Sequence, residues 1–236
     1  MSAHKVLLVG ISGCSSSGKT TLAKLITSLL PSAVLLHEDD FFKHDEDIPY
    51  DEKYQVSNWD SPDALDLALF RKELDYIKET GTISTELIHN NNHQNSRAVS
   101  LDADTQHAIV GKLAAAFKDS NTKVVVVDGF LMYHDAELSK KFDLKVLIRA
   151  PYSTLNKRRA DRSGYQTLES FWIDPPFYFD EFVYKSYSEC HAHLFEDDNV
   201  EGTLKENCGV HDYMNDDNAK IGEALLWLCD LIVSLR

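Results

Sequence analysis

Residues 13–20 read Gly-Cys-Ser-Ser-Ser-Gly-Lys-Thr, and no other stretch limits the fold of this chain so sharply. An aliphatic run at 6–9 precedes it. A stretch at 19–30 follows, with Leu22, Leu25, Ile26, Leu29 and Leu30 at helical spacing. Strand, glycine-bearing loop and helix in this order match GxxxxGK[ST] in full. In such a loop the glycines let the backbone curl so that successive N–H groups face the phosphates. The helix N-terminus adds a favourable dipole and Lys19 a point charge. Gly13, Cys14, Ser15, Ser16, Ser17, Gly18, Lys19, Thr20 and Thr21 are therefore candidates for holding a nucleotide's phosphates, and the Thr20 hydroxyl for a Mg²⁺ ion. The competing reading is a Ser/Gly-rich turn in front of a helix.

Beyond this loop, strand-like and helix-like segments alternate. An aliphatic run at 33–36 ends in HEDDFF, and a helix is expected over 62–79, where Leu65, Leu67, Leu69, Phe70, Leu74 and Ile77 make a broad apolar face. An extended piece is expected at 82–88, an exposed loop at HNNNHQNS (89–96), and a helix from Leu101. KVVVVDGF reads as a buried strand ending at Asp128, and DLKVLIRA as another over 143–149. Helical patterns cover 152–162, 179–194 and 219–235. In the last, Leu225, Leu226, Leu228, Ile232 and Leu235 read as cover for a core in preference to an oligomer seam; the oligomeric state is left open. The alternation predicts an α/β fold, a P-loop NTPase-type doubly wound parallel sheet with helices on both faces, which binds ligands at the carboxyl ends of its strands. With 236 residues, 43% of them hydrophobic, one domain over 1–236 is expected, carrying a helical lid at about 157–180.

Charge narrows the partners. Lys and Arg total 24 against 38 Asp and Glu, so the net charge of −14 argues against nucleic acid or an anionic membrane as partner. The N-terminal apolar run is too short for a membrane span and poor as a signal peptide. Together with four scattered cysteines, this gives a cytoplasmic expectation. CHAH at 190–193 has metal-like residue types, but a helix would splay them and no second pair accompanies it, so packed or surface side chains are preferred over zinc.

Asp39 and Asp40 at the end of the second strand could orient an acceptor hydroxyl and approach the metal, or merely cap a turn into a solvated loop. Asp128, after four valines, stands where a carboxylate binds Mg²⁺ directly or through water; a plain strand-ending turn is its rival. Lys157, Arg158, Arg159 and Arg162 concentrate positive charge in an acidic chain. Arg158 and Arg162, four apart on one helix face, could close over a transferring phosphate, or form a solvated basic helix end. A GTPase would want NKxD late in the chain; the nearest run, at 156–159, ends in Arg, so a GTPase switch is discounted.

The segments GISGCSSSGKTT, HEDDFF, NWDSPDALD, VVVVDGF, RAPYSTLNKRRADRSGYQ and DPPFYFDEFVY, in this order and spacing, resemble the nicotinamide riboside kinases, a family among the uridine kinase-like P-loop kinases. The resemblance covers most of 5–195 and fades towards the C-terminus. It implies a single nucleoside kinase domain that uses ATP and Mg²⁺ to phosphorylate the ribose 5′-hydroxyl of nicotinamide riboside, a small-molecule substrate, giving nicotinamide mononucleotide for NAD synthesis. Nicotinic acid riboside is a further candidate acceptor. By the same resemblance Asp39 is the general base and lies in the metal's environment with Thr20. Trp59 and Asp60 contact the nucleoside, and Asp40, Phe41 and Phe42 join that substrate site. Arg158 meets the ATP phosphates, Arg159 the ribose hydroxyls, Arg162 belongs to the lid, Tyr165 lies against the base, and Thr203 in EGT (201–203) lies near the adenine.

Stacking a pyridinium between Trp59 and Tyr165 would add a cation–π contribution of about 1 kcal/mol or more when desolvated. Taken alone, Trp59 reads sooner as a half-buried loop aromatic than as a substrate contact. The chain departs from the family pattern in Trp at the NWD position, Asp at 128, an extra residue near Ser163 and Gly164, and a longer stretch at 80–122. Two rival functions are kept: uridine or cytidine phosphorylation, and a catalytically silent, nucleotide-regulated interaction module.

Overall fold

The computed structural model describes residues 5–84, 100–118 and 121–236. Its strands are β1 (Lys5–Ser12), β2 (Val34–His37), β3 (Tyr50–Asp51), β4 (Val56–Ser57), β5 (Thr122–Asp128), β6 (Leu144–Arg149), β7 (Tyr165–Gln166), β8 (Phe171–Trp172) and β9 (His211–Met214). Its α-helices are α1 (Lys19–Leu29), α2 (Leu67–Thr80), α3 (Ala103–Phe117), α4 (Ala136–Ser139), α5 (Tyr152–Ala160), α6 (Lys185–His191) and α7 (Ile221–Ser234). Five strands form one sheet in the order β2-β5-β1-β6-β9, every neighbouring pair parallel. The chain leaves β1 towards one edge and later returns to fill the other. That reversal leaves a crevice at the carboxyl ends of the central strands.

Period-two alternation explains why these strands read as unbroken apolar runs. Val6, Leu8, Val125, Val127 and Leu147 face a core shared with Phe70, Leu74 and Ile77 of α2 and with Phe182 and Tyr187. Their neighbours Val9, Ile11, Val124, Val126, Val146 and Ile148 face the opposite core, with Leu22 and Ile26 of α1, Ile109 and Leu113 of α3, and Leu225, Leu228 and Ile232 of α7. A strand covered on both faces needs apolar residues at every position. The fully buried Leu225, Leu228 and Ile232 make α7 a core cover, as expected.

Three expectations shift. The helix expected over 62–79 is a 3₁₀ turn at Pro62–Ala64 followed by α2. Leu65 between them makes an antiparallel bridge with Phe42, and the Asp66 carboxylate accepts from Leu69 N–H at 2.9 Å to start the helix anew. The segment 157–180, expected to be a helical lid, is helical to Ala160, then runs through the β7–β8 hairpin and becomes helical again only at 178. Gly164 has φ +132°, in the region that favours glycine, immediately before β7. The polar edge strand β9 has no counterpart in the sequence reading. Residues 82–84 are not strand, and the rest of the extended piece at 82–88, like the loop at 89–96, lies outside the described residues.

From 179 to 194 the chain keeps a helical course through a π-helical turn (Phe179–Tyr184), α6 and a 3₁₀ turn (Ala192–Leu194). His191 is fully buried there, with Nδ1 2.9 Å from the Tyr187 carbonyl and its ring 4.7 Å from the Tyr187 ring. Among the described residues no group of three or more His, Cys, Asp or Glu could hold a metal. Burial holds the His191 imidazole down to about 4, from an ordinary 6.5. Between those values the unfolded chain binds the extra proton and the fold does not. This contribution to stability is therefore present above pH 6.5 and is lost as pH falls towards 4, by at most on the order of 3 kcal/mol. Relative to wild type, His191→Phe is expected to flatten the pH dependence of Tm from 6.5 down to 4, as thermal melts at half-unit steps will record; parallel curves would contradict it.

Candidate active site

The parallel register brings three strand ends side by side. Ile11 of β1 and His37 of β2 both pair with Asp128 of β5. Each of these strands is followed by a segment at the crevice: the phosphate loop after β1, residues 38–42 after β2, and Gly129 to Leu131 after β5. In the phosphate loop Gly13 has φ +151°, and a Cβ there would lie 2.2 Å from the Ile148 carbonyl oxygen. Gly18, at φ +95°, is the N-cap of α1. Both positions therefore require glycine, and Ser17 N–H closes the turn on the Cys14 carbonyl at 3.1 Å. Asn215, just past β9, donates from Nδ2 to the Ser17 carbonyl at 2.7 Å and so pins the loop from the C-terminal side.

A cavity of about 580 Å³ opens over this loop. Ser15, Ser16, Gly18, Lys19, Thr20 and Thr21 line one end. Asp39, Phe42, Trp59 and Asp60 line the other, with Phe130 beside them. Arg158, Arg159, Arg162, Tyr165 and Trp172, from the end of α5 through the β7–β8 hairpin, line it as well. The expected phosphate and acceptor residues thus share one space. Lys24, one turn beyond Thr20 on α1, also faces it.

Asp128 does not line the cavity. It is buried, with Oδ2 3.1 Å from His37 Nδ1, while Oδ1 has no hydrogen-bond partner. Burial works against its charge, yet the bond to His37, the charge of Lys19 and the Thr20 hydroxyl together hold its carboxyl below the usual range. A buried, ionised carboxylate with one oxygen unsatisfied beside a threonine hydroxyl fits a divalent cation bound directly or through water. Next to it, Glu38 is fully buried, and Oε2 accepts from Phe130 N–H at 2.6 Å and Leu131 N–H at 2.9 Å. Burial pushes its carboxyl up to about 8, against the opposing effect of those two bonds.

At the acceptor end Arg159 is clamped inside a buried network. Its Nε and Nη2 donate to the two oxygens of Asp174 at 2.6 and 3.0 Å, Nη1 donates to Ser15 Oγ at 2.7 Å, and Asp60 lies 3.6 Å from Nη2. Burial raises the Asp60 carboxyl above its ordinary value and Arg159 opposes this. The Tyr165 ring stands 4.3 Å from the Arg159 guanidinium carbon, and Arg162 approaches the same ring at 5.2 Å. Trp59 meets Phe42 edge-on at 5.7 Å and Trp172 at 6.5 Å, while Trp172 Nε1 donates to Asp174 at 2.8 Å. Aromatic faces and carboxylates therefore alternate around this end.

A phosphoribulokinase/uridine kinase family model matches residues 8–162. The chain belongs to that family. It is 52% identical to the nicotinamide riboside kinase of Saccharomyces cerevisiae, over 100% of this chain and 99% of that one. It is 46% identical to the nicotinamide riboside kinase of Eremothecium gossypii, over 98% and 94%. Against the uridine kinase of Borrelia hermsii, identity is 33% over 70% of this chain and 72% of that protein. Membership makes the chain a phosphotransferase that works with ATP and a divalent metal on a small-molecule acceptor.

For such a kinase some expected positions need correction. Phe41 is not at the cavity: it is 1% exposed and packs on Phe70 with ring centroids 4.5 Å apart, because the 3₁₀ turn at Glu38–Phe41 points it into the core while Phe42 faces the cavity. Asp40 is buried and does not line the cavity. Cys14 contributes backbone alone; burial pushes its thiol up to about 12. Gly13 and Ser17 likewise serve through the backbone turn. Thr203 lines a separate cavity with Arg149 and Trp227, where Arg149 Nη2 holds the carbonyls of Val200 and Gly202 at 3.1 and 2.7 Å.

The sequence reading also missed residues that shape the site. Arg158 is fixed by the Asn215 and Asp216 carbonyls at 3.0 and 3.2 Å, in a C-terminal stretch that carried no motif. Asp174 opens the DPPFYFD run and was visible there, but its role depends on Arg159 coming to meet it. Among the described residues no helix is long and apolar enough to cross a membrane.

Proposed function

We propose that this kinase transfers the terminal phosphoryl group of ATP to the ribose 5′-hydroxyl of nicotinamide riboside, giving nicotinamide mononucleotide in NAD synthesis, as one nucleoside kinase domain with its lid at 157–180. The observation that carries the reading is the acceptor end of the cavity, where Trp59, Phe42, Tyr165 and Trp172 offer ring faces and edges close to Asp39 and Asp60. A flat cationic base is favoured by such rings and by nearby carboxylates, whereas a neutral pyrimidine would call for directed hydrogen bonds. The full-length match to relatives named nicotinamide riboside kinase supports the same acceptor.

Under this reading Asp39 accepts the proton from the 5′-hydroxyl as it attacks. Asp60 and Arg159 hold adjacent ribose hydroxyls, one as acceptor and the other as donor. Lys19, Arg158 and Arg162 neutralise the phosphate oxygens, and the loop at 13–21 cradles them through its backbone N–H groups. Thr20, Asp39 and Asp128 would hold Mg²⁺, which when bound neutralises charge between the β- and γ-phosphates. The lid excludes water from the transfer. The protein is assigned to the cytoplasm, without nucleic acid or membrane as partner.

The deciding assay measures Mg²⁺-dependent ADP release from ATP with nicotinamide riboside, uridine, cytidine or no acceptor in parallel. Release driven chiefly by nicotinamide riboside is expected. Release driven by a pyrimidine nucleoside would keep the kinase and replace the substrate, and none above the blank would favour the silent module. Trp59→Ala is expected to raise KM for nicotinamide riboside roughly fivefold or more while leaving KM for ATP within about twofold. Equal effects on both constants would remove Trp59 from the acceptor pocket.

A further inference from the structure

The turn that joins β7 to β8 is tied to the loop that follows Phe42. Asp45 Oδ2 accepts from Thr167 Oγ1 at 2.8 Å and from Ser170 Oγ at 2.7 Å. The turn is braced within itself: Thr167 N–H donates to the Ser170 carbonyl at 2.9 Å, and Ser170 N–H donates to Thr167 Oγ1 at 2.8 Å. Beside this contact His44 Nδ1 lies 3.1 Å from Glu169 Oε1, on the exposed side. The other half of the contact is equally fixed. Lys43 N–H donates to the Ala64 carbonyl at 2.9 Å and Lys43 Nζ to the Asp63 carbonyl at 2.8 Å, which fastens the loop to the acceptor side of the domain.

We infer that Asp45 is a positioning residue that latches the lid hairpin onto the acceptor-binding loop, so that Tyr165 and Trp172 close the nucleoside end of the cavity. Two residues separate Asp45 from Phe42, and one separates Thr167 from Tyr165, so the latch joins the two walls of the acceptor pocket close to the rings themselves. Its partners are two hydroxyls on one carboxylate oxygen, a charge-assisted arrangement stronger than a neutral pair yet breakable when substrate enters or product leaves. Thr167 is 6% exposed, so its half of the contact is screened from solvent, while Glu169 and Ser170 of the same turn stay at the surface. Nothing in this contact touches the phosphate loop. Losing it should therefore act on the nucleoside and on water exclusion and spare ATP.

The inference rests on the kinase reading above, and the experiment separates the two. Steady-state kinetics on the full chain would compare wild type, Asp45→Ala, Asp45→Asn, Thr167→Val/Ser170→Ala and the combined triple variant, measuring ADP and phosphorylated nucleoside in the same reactions. For Asp45→Ala the expected result is a roughly tenfold rise in KM for nicotinamide riboside, with KM for ATP within about twofold. ADP should also exceed phosphorylated nucleoside, because water admitted to the site converts ATP to ADP and inorganic phosphate. Asp45→Asn keeps an oxygen that can accept both hydroxyls and should retain most of the wild-type behaviour. Thr167→Val/Ser170→Ala should reproduce Asp45→Ala, and the triple variant should be no worse than either. Additive losses, unchanged constants, or equal losses for ATP and nucleoside would overturn the latch. If Asp45→Ala does not fold, Thr167→Val/Ser170→Ala alone decides the nucleoside-against-ATP split. Wild-type protein with no acceptor-driven turnover would instead overturn the kinase reading.

Discussion

Asp39→Ala is expected to lower kcat about 10² to 10⁴-fold, the range associated with losing a positioned proton acceptor, while ATP affinity stays within a few-fold. Asp39 is half-buried, lies one residue beyond the buried Glu38 tether, and lines the same cavity as Lys19 and Thr20. A carboxylate in that position meets the acceptor hydroxyl at one end of the transfer and the metal near the other. Its removal should slow the chemical step without disturbing the backbone cradle at 13–21. Rapid-quench measurement of the first turnover, alongside nucleotide binding by fluorescence, would separate these effects. A first-turnover rate like that of wild type would remove Asp39 from the base role. A parallel collapse of ATP binding would make its chief contribution the metal.

Arg159→Met should produce the largest loss of stability of any substitution in the site. The guanidinium lies between Asp60 and Asp174 with its side chain 8% exposed, so removing it leaves the buried Asp60 and the half-buried Asp174 without their cation. Breaking a buried pair from one side costs about 3–5 kcal/mol. For a chain of this size that corresponds to a fall in Tm of roughly 6–20 °C. Arg159→Lys keeps the charge but cannot donate to Asp174 from two nitrogens at once and also reach Ser15, so an intermediate loss is expected. The informative companion is Arg159→Met/Asp60→Asn/Asp174→Asn, which should regain most of the stability but none of the activity. An unchanged Tm in Arg159→Met would mean that water or protons neutralise the two carboxylates and that Arg159 serves substrate alone.

How much of this was legible beforehand varies with the range of the interaction. The loop at 13–21 was readable because most of its demands are local: glycine at 13 and 18, where φ is positive, a helix immediately after it, a lysine and a threonine at that helix's start, although Ser16 also takes a positive φ. The buried strands were readable for a related reason. Covering both faces of a parallel sheet leaves no polar position in VVVV or VLI, and such runs stand out in any window. Phe41 and Phe42 mark where this logic ends. Adjacent and chemically identical, they part between the core and the cavity according to a 3₁₀ turn that neither residue specifies. β9 was invisible because an edge strand paired only with β6 buries too little to need an apolar sequence.

The sequence by itself determined the nucleotide-binding loop, the strand and helix order that makes a parallel sheet, and the carboxylates and arginines available to a phosphotransferase. Local φ preferences and hydrophobic periodicity carry that information within a few residues of each position. Only the tertiary structure decided the partners. Asp174 and Ser15 meet at Arg159, Asn215 reaches back across the chain to Ser17, Asp128 turns one oxygen to His37 and leaves the other without a hydrogen-bond partner, and Asp45 accepts from the turn of the β7–β8 hairpin. Each of these contacts joins segments tens to hundreds of residues apart. Their geometry follows from how two cores pack against one sheet, and no periodicity along a chain encodes which distant side chain will arrive within 3 Å.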